Sequence, residues 1–388
     1  MITANWNYPT SVRFGAGRIR ELADACKALG IKAPLVVTDA MLAKLPMVDA
    51  AMATLRAAGL RATLFCDVKG NPVESNAYAG LDVLRRNGHD GVVAFGGGSA
   101  LDVGKVIAFM AKQTRPMWDF EDIGDWWTRA NADGIAPVVA VPTTSGTGSE
   151  VGRAAVITQE ESRTKKVIFH PKMMPSITIC DPELTVGLPG SVTAATGMDA
   201  FIHCLEAYCA PGYHPLAEGI AVEGMRLVKE NLQRAVTKGS DLEARAHMMA
   251  AAAMGATAFQ KGLGGVHALS HPVGALYDTH HGLTNAVILP YVLVHNRPAI
   301  DVKIARLAAW LGLGGGFARF FGWVLALREA IGIPHTLGDL GVGDNQAELV
   351  AEMAVVDPTA SGNPRPLDVS TAKRLFVSAV RGELEDVS

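Results

Sequence analysis

Along roughly the first 185 residues, short apolar runs alternate with stretches whose apolar positions recur at helical spacing. Residues 34–39, 62–67, 91–95, 136–141 and 176–181 read as short buried strands, and residues 46–59, 77–87 and 101–111 as helices. Alternation of this kind predicts a mainly parallel sheet with helices on its faces. Past Asp181-Pro182-Glu183-Leu184 the texture changes. Residues 193–210, 215–236, 242–260, 264–277, 282–296 and 300–311 all carry helical periodicity, and no strand pattern stands out. The chain is therefore expected to hold an α/β domain over 1–187 and an all-helical domain over 188–388, with the glycine tract 312–316 as a loop.

Composition narrows the class without changing that picture. Hydrophobic residues make up 49% and charged residues 19% of 388, so a large core is available. The net charge is −3 and no Lys/Arg cluster tracks a surface, which makes nucleic acid and anionic membrane poor partners. No run approaches the ~18 apolar residues of a membrane helix. Residues 1–9 lack a basic region followed by an apolar one. Five scattered cysteines without a C-x-x-C pair argue against a disulfide framework and a Cys-based zinc site. A cytoplasmic location is the resulting expectation.

Two small-residue loops follow successive strands. Gly96-Gly97-Gly98-Ser99-Ala100-Leu101-Asp102 joins a strand to a helix, where backbone N–H groups and the helix N-terminus favour a pyrophosphate. The second, residues 142–150 (PTTSGTGSE), offers hydroxyls to ribose or phosphate. Two such loops at strand ends, where open α/β sheets bind ligands, outweigh either alone. Asp39 ends its strand where a carboxylate can bond an adenosine ribose and repel a 2′-phosphate, favouring NAD over NADP; a turn or cap is the plainer reading. Asn71 lies at another strand end. Gly15-Ala16-Gly17 does not open a dinucleotide fingerprint, because Arg20 stands where its third glycine belongs.

Asp199 and His203 are four apart, so on a helix they share one face. Seven of the 11 histidines fall between His203 and His281, among them His267, His271 and His280. Imidazole with carboxylate suits zinc or ferrous iron rather than calcium or magnesium. Each histidine taken singly is as readily a hydrogen-bonded core residue.

These motifs together resemble the iron-containing (group III) alcohol dehydrogenases from end to end. The likeness runs from Phe14-Gly15-Ala16-Gly17 through Val37-Thr38-Asp39, both glycine loops, Asp181-Pro182-Glu183-Leu184, residues 197–203 and 265–282, to Asp357-Pro358-Thr359-Ala360. The resemblance implies a Rossmann-like first domain, a helical second domain, catalysis in the cleft between them, and a homodimer. It implies an NAD-linked interconversion of a small alcohol with its aldehyde or ketone, assisted by one divalent metal, Fe2+ before Zn2+. The ligands it implies are Asp199, His203, His267 and His281. The cofactor residues it implies are Asp39, Asn71, Gly97, Gly98, Ser99, Asp102, Thr143, Thr144, Ser145 and Thr147. Lys165, or its neighbour Lys166, is implied beside the nicotinamide, and His271 in proton relay. Pro272 is expected to kink its helix, and His280 stands beside His281 as an alternative imidazole, which leaves open which of the two ligates.

A glycerol-type polyol dehydrogenase has a related plan. A dehydroquinate synthase-like lyase is less favoured, because few Lys or Arg accompany the histidine motifs. Trp118, Trp126 and Trp127 read as packing residues or as an aromatic cleft mouth.

Overall fold

Val92, Val93, Ala94 and Phe95 are fully shielded from solvent, as a strand covered on both faces requires. In the computed structural model, which describes residues 10–384, this run is central to a parallel sheet. The strands are β1 (Ser11–Phe14), β2 (Pro34–Val37), β3 (Thr63–Phe65), β4 (Gly91–Gly96), β5 (Val138–Pro142), β6 (Ala154–Gln159), β7 (Thr164–Phe169) and β8 (Ile177–Cys180). Six of them pair, all parallel, in the order β1-β8-β5-β4-β2-β3. Interleaved are α1 (Leu22–Ala28), α2 (Pro46–Ala57), α3 (Glu74–Arg86) and α4 (Gly98–Met110).

Because side chains alternate along a strand, each strand feeds two cores. Leu35, Val37, Val92, Ala94, Val138 and Ala140 pack with Ala77, Leu81, Leu101 and Ile107 of α3 and α4. Val36, Val93, Phe95, Val139 and Val141 pack with Leu22, Val48 and Leu55 of α1 and α2.

β6 and β7 form a separate antiparallel hairpin that the sequence pattern did not signal. Most of its residues are half-buried, and the strands carry Lys165 and Lys166 in place of a clean apolar run. Its turn uses Arg163 at φ 52°, a left-handed conformation that no glycine advertises. Trp118 and Trp127 pack around it: Lys166 lies over the Trp118 ring, and Trp127 meets Phe169 edge-on at 6.4 Å.

The second half is helical: α5 (Gly190–Cys209), α6 (Pro215–Thr237), α7 (Leu242–Ala258), α8 (Gly265–Tyr277), α9 (His281–Trp310), α10 (Gly316–Ala330), α11 (Ala347–Val355) and α12 (Val369–Arg381). The sequence expectation of two helices over 282–311 is corrected here. α9 is one helix of 30 residues with Pro290 and Pro298 inside it. An interior proline costs about 3 kcal/mol. Burial of Ile300, Ile304, Leu307 and Ala308 in the same core as Ile288, Leu289 and Val292 outweighs it. α8 likewise runs as one element through Pro272.

The described residues divide into two compact units, one of 10–144 and 148–186, the other of 145–147 and 187–384. No helix among them is long and apolar enough to cross a membrane. Residues 1–9, read above for a leader, lie outside the described residues.

Glu150, at the end of the second loop, is fully buried beside Cys180, and Thr178 donates a hydrogen bond to its backbone carbonyl at 2.8 Å. Burial raises its carboxyl from 4.5 to about 7, against a smaller opposing pull from Lys105. Between these values the folded chain holds a proton that the unfolded chain has released, so stability falls as pH rises through that window and levels off above it. Glu150→Gln should therefore raise the melting temperature at pH 8 (by roughly 3 kcal/mol of stability) and change it little near pH 4.5. A shift of equal size at both pH values would contradict this account.

Candidate functional site

The helical unit assembles its site on α5, which is buried around most of its circumference. Asp199, His203 and Glu206 follow one another at spacings of four and three, so one stripe of an otherwise apolar helix is polar. Their exposures are 2%, 4% and 7%, and such groups are stable inside only when partnered. Gly255 on α7 allows the close packing behind them, since a Cβ there would stand 2.9 Å from the His203 Cβ.

α8 and the first turn of α9 supply the facing groups. His267 Nε2 lies 3.9 Å from Asp199 Oδ1, His203 Nε2 4.0 Å and His281 Nε2 3.7 Å. These gaps are too long for hydrogen bonds. They fit ligand atoms about 2.1 Å from a shared ion, which stand at most ~4.2 Å apart. One atom each of Asp199, His203 and His267 falls within a mutual 4.8 Å. The His203 and His267 rings stack at 4.7 Å, and the His281 ring lies 5.4 Å from that of His267. Burial drives His203 down to about 4, which keeps its imidazole neutral and able to ligate.

Asn285, one turn beyond His281, is wholly buried and occupies the centre of this group. Its Nδ2 donates to Asp199 Oδ1 at 2.8 Å and lies 3.2 Å and 3.1 Å from Nε2 of His267 and His281. Two amide hydrogens face three acceptors, while Asn285 Oδ1 has no hydrogen-bond partner among the described residues. A surplus of inward lone pairs is what a cation would satisfy, so the donor set fits a divalent metal.

Two carboxylates hold the imidazoles from behind. His267 Nδ1 is 2.6 Å from Glu206 Oε2, and His271 Nδ1 is 2.8 Å from Asp357 Oδ2. Burial pushes the Asp357 carboxyl up, but His271 and the hydrogen bonds from Thr359 together hold it below the ordinary range. The His271 ring stacks on that of His281 at 5.5 Å, and neither imidazole joins the cluster of Asp199, His203 and His267, although His281 Nε2 lies 3.7 Å from Asp199. His280 caps α9, its Nδ1 accepting from Leu283 N at 3.4 Å. Phe259 closes one side, edge-on to His203 at 5.2 Å.

The α/β unit carries all but two of the residues read as cofactor-binding. Gly97 caps α4 and Gly98 opens it, beside Thr144, while the Thr143 N–H bonds Gly96 O at 3.0 Å. Ser99 Oγ donates to Gly70 O at 2.5 Å, tying the segment that carries Asn71 to the glycine loop. Asp39 Oδ1 accepts from Met41 N and Leu42 N at 2.9 Å and 2.8 Å, the cap that the plainer reading offered. Asp102 turns inward: Ser149 Oγ (2.5 Å), Val156 N (2.8 Å) and Lys105 Nζ (3.2 Å) all reach its carboxylate. Ser145 and Thr147 group with the helical unit. Lys165 is paired with Thr158 across the hairpin, whereas Lys166 bonds Glu121 at 3.0 Å.

Comparison with known proteins decides the family. The sequence profile of "Iron-containing alcohol dehydrogenase" matches residues 9–182, and that of "Fe-containing alcohol dehydrogenase family, C-terminal" matches residues 193–380. The chain belongs to the iron-containing alcohol dehydrogenase family. Among its relatives, 4-hydroxybutyrate dehydrogenase of Cupriavidus necator is 38% identical, over 95% of this chain and 98% of that protein. The NAD-dependent methanol dehydrogenase of Bacillus methanolicus is 33% identical, over 97% and 100%. A crystal structure of 1,3-propanediol oxidoreductase superimposes with a TM-score of 0.92 at 38% identity, covering 97% of this chain and all of that one. The chain is thus an oxidoreductase of the alcohol dehydrogenase type, with a parallel α/β half and a helical half as the family resemblance implied.

In this iron-containing alcohol dehydrogenase, sequence reasoning missed three polar groups at the histidine cluster. Glu206 was legible in principle, seven residues after Asp199 on one helical face, and Asn285 likewise, four after His281. Asp357 was noted only as part of a motif, because its contact with His271 spans 86 residues.

Gly282 sets how closely α9 approaches α5. A Cβ there would lie 2.5 Å from Ala195 O and 3.1 Å from the Asp199 Cβ. Alanine normally stabilises a helix relative to glycine by about 0.5–1 kcal/mol. Gly282→Ala should instead lower stability by about 1–3 kcal/mol through overpacking and reduce metal content with it. Melting of metal-stripped protein and metal per chain are the measurements. A raised melting temperature with undiminished metal would show that the helices have room to spare.

Proposed function

We propose that the protein is an NAD-dependent dehydrogenase that interconverts small primary alcohols and their aldehydes at a single divalent metal. The ligands are the Asp199 carboxylate and Nε2 of His203, His267 and His281, and ferrous iron is preferred to zinc. The convergence of Asp199, His203 and His267, with His281 Nε2 3.7 Å from Asp199 and Asn285 facing their lone pairs, is the observation that carries the reading. The three-nitrogen, one-oxygen set is compatible with either metal, and the family's name favours iron. When bound, the metal supplies Lewis acidity to a substrate oxygen, and NAD supplies the hydride acceptor or donor.

The chain's own residues bind and orient. Phe259 packs edge-on against His203 and covers one side of it. Asp357 takes the Nδ1–H of His271, which leaves His271 Nε2 to move a proton between substrate and solvent. On the cofactor side the glycine loop Gly97, Gly98 and Ser99, with Asn71, Thr143, Thr144, Ser145 and Thr147, binds phosphates and ribose. Asp39 favours NAD over NADP by repelling a 2′-phosphate. Asp102 serves the loop by holding it from within. Lys165 is assigned to the nicotinamide on the family resemblance, while Lys166, on the opposite face of the strand, bonds Glu121. Likeness to enzymes named for 4-hydroxybutyrate and methanol supports short linear substrates. The reading extends to a cytoplasmic homodimer associated through its α/β units.

The test is NADH formation over a panel of short alcohols, diols and hydroxy acids, with aldehydes in reverse, on metal-stripped protein with and without Fe2+ or Zn2+. Turnover should return with metal and be greater with Fe2+. His267→Ala should abolish it while NAD binding survives, and retained turnover would sink the ligand assignment. His271→Ala should lower kcat by about 10²–10⁴-fold with metal content unchanged. An unchanged kcat would remove His271 from proton relay.

A further inference from the structure

Glu206 is a buried carboxylate that no step above uses. Both of its oxygens are engaged, and both partners lie on α8. Oε1 accepts from the Val266 backbone N–H at 2.7 Å, and Oε2 lies 2.6 Å from His267 Nδ1. The His267 and Glu206 side chains are 2% and 7% exposed, so water does not compete for these bonds. α5 thereby carries two of the proposed ligands and, one turn further on, the group that grips a third from α8.

The consequence is chemical as well as steric. A neutral imidazole carries one N–H, and its position decides which nitrogen can ligate. An ionised carboxylate accepts only, so a hydrogen bond to it places the proton on Nδ1 and leaves the Nε2 lone pair directed toward Asp199. A carboxylate behind a ligating histidine also raises its basicity. We propose that Glu206 is the positioning residue of the metal centre, locking His267 in the Nδ1–H form and so setting how tightly the ion is held. This rests on the reading of His267 as a ligand.

The isosteric change Glu206→Gln probes it sharply. Two donors face this side chain, and an amide offers one acceptor and one donor group. If the amide oxygen keeps Val266, the NH2 faces His267 and forces the proton to Nε2, blocking ligation. If the oxygen keeps His267, the Val266 N–H meets another donor and the start of α8 shifts. Either arrangement weakens metal binding while the side-chain volume is conserved.

The experiment measures Zn2+ and Fe2+ affinity by chelator competition, with metal per chain, for the intact wild-type protein, Glu206→Gln and His267→Ala. Expected is a loss of about 10–100-fold in affinity for Glu206→Gln and a larger loss for His267→Ala. Wild-type affinity in Glu206→Gln, with metal lost from His267→Ala, overturns the proposal and leaves the ligand reading intact. Wild-type affinity in His267→Ala overturns the ligand reading itself, and the proposal with it. A nitrogen-15 histidine spectrum of the zinc-loaded wild-type protein gives a second readout that does not depend on the variant folding. The His267 signal, assigned by its absence in His267→Ala, should show a proton on Nδ1 and none on Nε2. A His267 signal without a proton on Nδ1 overturns the proposal.

Discussion

A carboxylate in the middle of an apolar helix is the constraint on which the helical unit turns. Asp199 is 2% exposed, between Met198 and Ala200 and close to Phe201 and Ile202, all fully buried. Removing such a charge from water costs several kcal/mol unless groups nearby restore its interactions. The chain answers with the Asn285 amide as a direct donor and with imidazoles on three helices. Glu206 and Asp357 repeat the problem one layer out, and each meets a histidine nitrogen and a backbone N–H. In this cluster each buried carboxylate thus faces an imidazole.

That pairing explains why the packing is so tight around α5. A ligand set works only if its members hold position to within about half an ångström. Gly255 lets α7 press against the back of His203, and Gly282 lets the first turn of α9 reach Asp199. His281 and Asn285 occupy successive turns of the long helix, whose remaining length is anchored by Ile300, Ile304 and Leu307. The prolines within that helix are tolerated for the same reason. Rigid placement of its first turn comes from burial far along its axis rather than from an unbroken hydrogen-bond ladder.

What the sequence made legible follows from the range over which each signal acts. The strands at 34–37, 91–96 and 138–142 are apolar on both faces, so composition alone marks them. Asp199 and His203 declare themselves through a four-residue spacing. By contrast, the hairpin Ala154–Phe169 joins neighbouring backbone through single bridges at Thr158 and Ile168, and its one buried apolar face, Ala155, Ile157 and Ile168, is interrupted by Lys166, so its pattern is weak to read. Pro298 reads locally as a break, and only the buried contacts further along the helix overrule it. Asp357 needs the fold to bring it to His271.

The same reasoning separates the two neighbouring lysines, which spacing could not. Consecutive residues of a strand point to opposite faces, so Lys165 and Lys166 cannot serve one site. Lys166 meets Glu121 and lies over the Trp118 ring, which fixes its face of the hairpin against the segment that carries both. Lys165 therefore points the other way, opposite Thr158. Trp118 is held in turn by Glu74 at the start of α3. Trp118 and Trp127 thus pack against the hairpin, the packing role that the sequence offered for them.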